Sequence, residues 1–521
     1  MTFANPMLRG AAALVLALAA TPVAAQNHLG TISFPNSGTR AAQAPFLRGV
    51  LLLHSFEYED AARAFREAQR IDPGFALAYW GEALTHTHPV WNEQALDTAR
   101  AILARLGPTA EARRAKAKTA RERAWLETVE VLYGEGGKER RDTLYSAALE
   151  RLATAYPADD EAKTFYALSL LGLSQGVRNV PTYMRAGAIA QDVFLRNPKH
   201  PGAAHYVIHA FDDAVHAPLG LRAARAYAKI APDADHAQHM TSHIFLGLGM
   251  WDETVAANEA ASTGVEQDRT KWGPGHYTAW LGYGLLQQGR LAEAQALLET
   301  VRPNLGDPPR PPRRAYLLAM RAHHLVSSER WDDPATRWEL DAGGLGPLTP
   351  SMDAFALGFA ALRRGDRAEA ERWLRELETR GRAPDAKIRY GGSARVPGIL
   401  LQELRALLRL EDGARDEGLA LLRDAAATED GLPLEFGPPD VVKPTHELLG
   451  EVLLGLGEPA EAQREFQRAL QVAPGRALSL RGLARAAAAA GDQETAARAR
   501  ADLARVWRRA DAEVRRVVTK S

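Results

Sequence analysis

The sequence predicts an all-α fold, a superhelix of about eleven stacked helix pairs. Apolar residues recur at helical spacing in paired runs separated by short polar turns, and this pattern continues along nearly the whole chain. The pairs repeat with a period near 34 residues, which is typical of helical repeat arrays. At 521 residues the chain is also too long for one compact core, and an elongated array accommodates that length.

The composition narrows the range of possible functions. The 64 Lys and Arg residues balance the 64 Asp and Glu residues, so the net charge is zero and we expect no nucleic-acid partner. The chain has no cysteine, which excludes disulfides, thiolate metal ligands and cysteine nucleophiles. Any metal site must therefore use His, Asp or Glu side chains.

The N-terminus has the organisation of a secretory signal peptide over residues 1–25. One arginine, Arg9, precedes an apolar stretch from Ala11 to Ala20, and the small residues Val23 to Ala25 form a cleavage site before Gln26. The apolar stretch is shorter than the roughly 20 residues that a membrane-spanning helix needs. We therefore expect a periplasmic or secreted protein without a membrane span.

The first helix pair resembles a tetratricopeptide (TPR) repeat. Gly49 stands where the two helices of such a repeat approach closely, and Ala61, Phe65 and Pro73 continue the signature. A second match near the C-terminus has the same residue types at the same spacing: Gly450, Ala462, Phe466 and Pro474. The resemblance implies a TPR-like superhelix, a fold whose concave face commonly serves as an extended recognition surface.

Stretches rich in Pro and Gly interrupt the pattern in the C-terminal half, and we interpret them as loops between repeats. The first of them, residues 302–314, is predicted to be a linker between two arrays. Residues 26–301 then form an N-terminal TPR-like array with a cluster of histidines. Residues 315–521 form a C-terminal TPR-like array that ends in a capping helix from Gln493 to Thr519.

The N-terminal half also resembles, as a whole, a group of exported bacterial TPR proteins. Two segments carry this likeness: FLRGVLLLHSFEYEDAARAFREAQRIDPGFALAYWGEALTHTHPVW and HPGAAHYVIHAFDD. The resemblance implies the fold and an exported location, and it implies no particular reaction.

Two identical histidine pairs stand one repeat apart. His205 and His209 recur as His239 and His243, 34 residues later, although most of the neighbouring residues differ. If Pro232 closes a repeat, the repeats begin near Pro201 and Asp235, and both pairs occupy positions 5 and 9 of the first helices of their repeats. The TPR resemblance implies that these positions line the concave groove.

These pairs are candidate metal ligands. Side chains four residues apart lie on one face of a helix, and adjacent helices pack at about 8–10 Å, so the pairs can converge. His236 and His276 lie near enough in their repeats to add ligands. Neutral imidazole nitrogens favour Zn, Cu, Fe or Ni. Asp212 and Asp213 are candidates to orient an imidazole or to ligate directly.

A secondary set of candidates lies on helices of the same array. His54 and His88 are also 34 residues apart, near repeat position 13, and Trp80 near position 5 is expected to face the groove. Without a metal, the imidazoles would line a groove for peptide carboxylates or aromatic groups, or they would serve as structural hydrogen-bonding groups.

Two functions fit these features. The first is an exported TPR-repeat binding protein whose histidine-lined groove holds a peptide or protein segment together with a transition metal. The second is a metal-dependent hydrolytic or redox enzyme that uses the same histidines. Walker-type loops and His-Glu-x-x-His helices are missing from the sequence, which therefore favours no particular reaction.

Overall fold

The computed structural model describes residues 28–174, 178–380, 394–434 and 436–520, so the predicted signal peptide lies outside the described residues. Within these ranges the regular secondary structure is almost entirely helical, and two strands of two residues each form one small hairpin. The predicted all-α superhelix is confirmed. None of the described helices has the length and apolar character that crossing a membrane requires.

Eleven pairs of consecutive helices stack along the described chain, which agrees with the predicted number. In chain order the pairs are α1 (Gln43–His54) with α2 (Tyr58–Ile71), α3 (Ala76–Leu84) with α4 (Leu96–Leu106), α6 (Ala120–Leu132) with α7 (Lys138–Ala155), α8 (Asp160–Gly172) with α9 (Val180–Arg196), α10 (Pro201–Ala210) with α11 (Ala217–Ile230), α12 (Asp235–Gly247) with α13 (Trp251–Val265), α14 (His276–Gln287) with α15 (Leu291–Val301), α17 (Leu348–Arg363) with α18 (Arg367–Arg380), α19 (Val396–Glu411) with α20 (Arg415–Asp430), α21 (Thr445–Gly455) with α22 (Pro459–Val472), and α23 (Ala477–Ala490) with α24 (Gln493–Val506). Three described helices stand outside this pairing: α5 (Ala110–Lys116), α16 (Pro311–Ser328) and α25 (Ala512–Lys520). The strands β1 (Thr87–His88) and β2 (Glu93–Gln94) pair antiparallel between α3 and α4.

The glycines of the repeat signature allow the helices to approach closely. A Cβ atom on Gly49 in α1 would lie 2.7 Å from the ring of Phe65 in α2, and a Cβ atom on Gly81 in α3 would lie 2.4 Å from the same ring. Near the C-terminus, Phe466 in α22 packs against Gly482 in α23 in the same way. One buried aromatic ring therefore joins a helix pair to the helix that follows it.

The C-terminal repeats fold back against the middle of the superhelix. The indole nitrogen of Trp251 in α13 donates to the carbonyl of Gly475 at 2.8 Å. The guanidinium of Arg476 donates to the hydroxyl of Tyr283 in α14 at 3.0 Å. Both bonds connect the turn before α23 to helices that precede residues 302–314. The division of the chain into two arrays at that segment stays a prediction.

The C-terminal end differs from the predicted single helix over Gln493 to Thr519. Helix α24 ends at Val506, and α25 begins at Ala512 after a short turn. The turn forms because the side chain of Trp507 is buried, with its indole nitrogen donating to the carbonyl of Gln287 at 3.1 Å. The end of the chain therefore packs on α14 instead of continuing along the array.

Candidate metal centre

Three helices bring the six predicted histidines together. They are α10, α12 and α14, each the first helix of its pair, and α10 and α12 begin at Pro201 and Asp235 as the repeat spacing predicts. The histidines form two groups, and within each group the ligand nitrogens lie within 4.8 Å of one another. The first triad consists of His205, His209 and His236. The second triad consists of His239, His243 and His276.

The first triad has three buried nitrogens that point at no hydrogen-bond partner among the described residues. They are the Nε2 atoms of His205, His209 and His236. The Nδ1 atom of His205 donates to the backbone carbonyl of His54 at 2.7 Å, which leaves a lone pair on its Nε2. A buried polar group without a partner costs about 1–3 kcal/mol, so three together call for a ligand that the protein chain does not supply.

The second triad contains two nitrogens that face each other. The Nε2 atoms of His239 and His243 lie 2.9 Å apart. The Nδ1 atom of His239 donates at 2.6 Å to Asn258 Oδ1, and the Asn258 amide is oriented by its bond to the Thr254 carbonyl at 2.8 Å. The Nδ1 atom of His243 donates to the carboxylate of Asp212. Both Nδ1 atoms are thus donors, and in the neutral tautomers both Nε2 atoms carry lone pairs.

Two nitrogen lone pairs 2.9 Å apart repel each other unless both point at the same proton or metal ion. One proton between the two Nε2 atoms would satisfy the pair. A metal ion would satisfy it as well, and a carboxylate behind the ring is the usual support of a metal-ligating histidine. The second triad is therefore arranged to hold positive charge.

Burial keeps most of these imidazoles neutral. It lowers the pKa of His276 to about 3, and the neighbouring His243 acts in the same direction. Burial, followed by the charge of neighbouring imidazoles, lowers the pKa well below the usual 6.5 at four further histidines: His205, His209, His236 and His239. At neutral pH these side chains present the unprotonated nitrogens that a transition metal needs.

Aromatic rings enclose the two triads. The ring centroid of Phe56, in the turn between α1 and α2, lies 4.3 Å from that of His205. At the second triad, the ring of Trp280 in α14 lies 4.3 Å from that of His243, and the ring of Phe436 from the loop before α21 lies 5.4 Å from it. These apolar walls reduce the access of water and strengthen electrostatic interactions inside the site.

A third group with metal-ligand spacing is held together by its own hydrogen bonds. It consists of His54, Glu161 and His200, all buried. The Nε2 atom of His54 donates to Glu161 Oε2 at 2.8 Å, and its Nδ1 accepts from the Tyr206 hydroxyl at 3.0 Å. The Nε2 atom of His200 lies 3.1 Å from the other oxygen of Glu161. Glu161 Oε1 accepts no hydrogen bond among the described residues. The network also holds the His54 carbonyl that orients His205.

Two of the secondary candidates do not belong to the centre. Trp80 is fully buried, its indole nitrogen donates to Thr128 at 3.2 Å, and its ring packs on Trp125 at 5.0 Å. The expectation that Trp80 faces a groove is wrong because its large apolar ring fills the core between helices. His88 lies in β1 and stacks on Tyr58 at 4.0 Å, beside the aromatic enclosure.

The two aspartates after α10 have different contacts. Asp212 orients His243, as predicted for one of them. Asp213 instead accepts from Arg178 at 2.7 Å and from the Nδ1 atom of His216 at 2.8 Å. Because Arg178 and His216 both contact its carboxylate, Asp213 is not available as a ligand.

Sequence reasoning missed Asn258 and Phe56. Asn258 is fully buried within α13 and contacts His239 from the second helix of the pair, a position that the groove-facing pattern does not include. Phe56 has a positive φ of 58° in the turn between helices, where side-chain direction cannot be inferred from helical periodicity.

One sequence segment has the spacing of a serine nucleophile elbow. Residues 172–176 read Gly-Leu-Ser-Gln-Gly, of which residues 175–176 lie outside the described ranges. In a true elbow the serine stands on a sharp turn between a strand and a helix. Ser174 follows the end of α8, and its hydroxyl donates to the carbonyl of Leu171 at 3.1 Å, so the described part of the segment follows a helix and not a strand.

Comparisons with known proteins add little about function. A scan against protein-family models finds no match, and no curated protein matches the sequence. The human IFIT1 dimer with m7Gppp-AAAA is 13% identical, with a TM-score of 0.33 over 91% of each chain. Yeast Tom70 is 13% identical, with a TM-score of 0.37 over 87% of this chain and 96% of that chain. The APC/C hetero-tetramer Cut9-Hcn1 is 13% identical, with a TM-score of 0.34 over 87% and 77%. Overlaps this low carry no argument about ligands, and the fold assignment rests on the helices of the chain itself.

Proposed function

We propose that this chain is an exported binding protein that holds transition-metal ions in the two histidine triads. The observation that carries the proposal is the set of three buried Nε2 atoms in the first triad without a hydrogen-bond partner among the described residues. One ring nitrogen of each of these histidines lies within 4.8 Å of the other two, so small side-chain movements would bring three ligands to about 2.0–2.1 Å from a single ion.

The ligand types favour Cu, Zn, Ni or Fe. Imidazole nitrogens suit these metals, whereas Mg and Ca prefer carboxylate and carbonyl oxygens. His205 and His243 are oriented from behind by the His54 carbonyl and by Asp212, respectively. Groups in these positions fix the imidazole tautomers and so prepare the ligands for the metal before it binds.

Elemental analysis of protein purified without a histidine tag tests this proposal. We expect at least one tightly held transition-metal ion per chain after dialysis, and loss of that metal in the variant with both His209→Ala and His243→Ala. His28→Ala is the matched control, because the His28 side chain is 56% exposed. His446 is unsuitable as a control, since its ring contacts Glu465 at 2.6 Å and Asp430 at 3.0 Å. Metal-free wild-type protein after incubation with Zn, Cu, Ni and Fe salts would refute the proposal.

We propose a peptide or protein segment as the partner of the concave face of the superhelix. The support is the general use of TPR-like concave faces as recognition surfaces, together with the zero net charge, which disfavours nucleic acid. Peptide-array binding to the metal-loaded and metal-free protein tests it. If neither the metal-loaded nor the metal-free protein binds any peptide of a diverse library, a peptide or protein segment is not the partner.

Export is proposed on the N-terminal segment alone. The short apolar stretch and the small residues at positions 23–25 fit a cleavable signal peptide. Mass spectrometry of the soluble protein from an envelope fraction is expected to find Gln26 at the N-terminus. A major soluble species that retains residues 1–25 would contradict export by this route.

A metal-dependent enzyme is the second candidate function. It is favoured by the first triad in particular, because three imidazole ligands leave an open coordination position where a bound water is activated. Hydrolysis of ester and phosphodiester substrates, and oxidation of phenols, would be assayed with metal-loaded protein. Turnover that the His209→Ala and His243→Ala double variant retains would exclude this centre as its source.

A further inference from the structure

The two triads adjoin along one face of α12. This helix contributes His236 to the first triad and His239 and His243 to the second. His236 and His239 are three residues apart, which is less than one helical turn, and their ring centroids are separated by 6.2 Å.

A second contact joins the triads at another edge. The ring centroids of His209 in α10 and His243 in α12 are 6.1 Å apart. Within the second triad alone, the separation between His243 and His276 is already 5.9 Å. The spacing between the triads therefore hardly exceeds the spacing inside one of them, so ions held by the two triads would be close neighbours.

Each triad nevertheless has its own set of supports. His205 in the first triad is oriented by the His54 carbonyl. In the second triad, His239 is oriented by Asn258 and His243 by Asp212. Independent supports of this kind suit two ions with three ligands each better than one ion shared among six rings.

The charge of such a pair requires an additional ligand. All six ligands are imidazoles, which are neutral when they bind a metal, so each divalent ion keeps its full charge. Asp212 hydrogen-bonds to one ring of the second triad, whereas the charge of Asp213 is offset by Arg178. Glu57 also approaches, and its carboxylate accepts from the backbone N–H of His236 at 3.1 Å. Two neighbouring dications in a buried site repel strongly, and an anion between them offsets that repulsion.

We propose that the two triads form one dinuclear centre in which two metal ions share a small bridging anion. This inference rests on the proposed metal-binding function. Hydroxide is the resident form of the bridge: a water molecule between the ions loses one proton to solvent, because metal ions lower the pKa of bound water. The aromatic walls formed by Phe56, Trp280 and Phe436 restrict the bridging position to small anions, for which azide is a convenient probe.

Copper loading followed by electron paramagnetic resonance tests the proposal on the full-length protein. We expect two Cu(II) ions per chain and a signal that accounts for less than about a tenth of them, because a single bridging atom couples the two unpaired electrons. Azide should then add a charge-transfer absorption band that saturates at one azide per two copper ions.

The unfavourable outcomes separate the two proposals. Two Cu(II) ions with the full signal would show isolated sites, and one Cu(II) ion per chain would show a single shared site; either overturns the dinuclear centre and leaves metal binding intact. Absence of bound copper, with none of the other metals bound, would overturn both.

Two variants make the test independent of the wild-type signal. His236→Ala removes a ligand of the first triad that lies at its edge, where the side chain is 8% exposed. It should leave one Cu(II) ion per chain with a full, uncoupled signal. His28→Ala, at an exposed position, should keep two coupled ions. Retention of two coupled ions in folded His236→Ala protein, checked by circular dichroism, would overturn the assignment of one ion to each triad.

Discussion

Asp212 orients His243, one of the proposed metal ligands of the second triad. Its carboxylate accepts from the Nδ1 atom of His243, which keeps the proton on that nitrogen and leaves Nε2 free. Asp212→Asn replaces the charged acceptor by a neutral amide, whose orientation can also present the wrong group to His243. We expect about a 10–100-fold weaker metal affinity at the second triad, as is usual when such a supporting group is changed. Competition with a chromophoric chelator measures it.

The control for this prediction is Asp233→Asn. Asp233 lies 3.3 Å from His28 with 57% of its side chain exposed, so its loss should leave metal affinity unchanged. Equal affinities for wild type and Asp212→Asn would mean that Asp212 does not orient a ligand.

The buried histidines predict how the stability of the metal-free protein depends on pH. Burial lowers the pKa of His276 to about 3 and that of His209 well below 6.5, whereas the unfolded chain protonates these groups near 6.5. Below pH 6.5 the unfolded state therefore binds more protons than the folded state, so stability falls as pH falls. Each such histidine adds a slope of about 1.4 kcal/mol per pH unit in this range.

Chemical denaturation between pH 7.5 and 5.5 checks this prediction. His209→Gln removes one of the groups and should make the profile shallower, and exposed His28→Ala should reproduce the wild-type profile. A free energy of unfolding that is constant over this range would contradict the buried, neutral state of the triads.

At the scale of the helices, the ring of Phe466 packs between repeats and leaves no room for a side chain at Gly482. A Cβ atom at this position would overlap the ring of Phe466, which Gly450 confines on the other side. We expect Gly482→Ala to lower the free energy of unfolding by about 1–3 kcal/mol through overpacking, despite the better helix propensity of alanine. Urea unfolding measures the change.

Gly398 provides the matched control in the same half of the molecule. It is an exposed residue of α19, and a Cβ atom there would contact no described residue within 4 Å. Gly398→Ala should therefore be neutral or stabilising by up to about 1 kcal/mol. If the two substitutions change the free energy of unfolding equally, the ring of Phe466 does not set the distance between the helices.

The elements show why the sequence predicts some features and not others. The repeat period predicts the starts of α10 and α12 at Pro201 and Asp235, because a periodic signal averages over many residues. It also predicts that His205 and His239 lie on corresponding faces. It does not predict that the six histidines separate into two triads, since that depends on side-chain rotamers and on the first turn of α14.

Other features of the site have no local signal in the sequence. Phe436 contacts His243 although the two residues are 193 positions apart, and no pattern near either residue indicates the other. Trp80 occupies a repeat position that often faces the groove, yet burial of its ring among Trp125 and Phe165 is more favourable. Long-range packing of this kind decides which groove positions remain open.

For the molecule as a whole, the packing of the C-terminal repeats against α14 depends on one buried arginine, Arg476. Arg476 is fully buried and its guanidinium donates to both oxygens of Glu447, at 2.8 and 3.0 Å, as well as to Tyr283. Arg476→Met leaves Glu447 buried near Lys443, with one cation where it had two. Removal of one partner of a buried ion pair costs about 3–5 kcal/mol, because the remaining charge stays desolvated.

The position of Arg476 determines where that loss is expected. Because the residue joins the turn before α23 to Tyr283 in α14, Arg476→Met should speed amide hydrogen exchange in both α23 and α14, which lie far apart in the chain. Arg498→Met on α24 removes an arginine whose side chain is 68% exposed and should change exchange in neither helix. In a linear repeat array each repeat depends only on its neighbours, so faster exchange confined to α23 would mean that the contact does not close the superhelix.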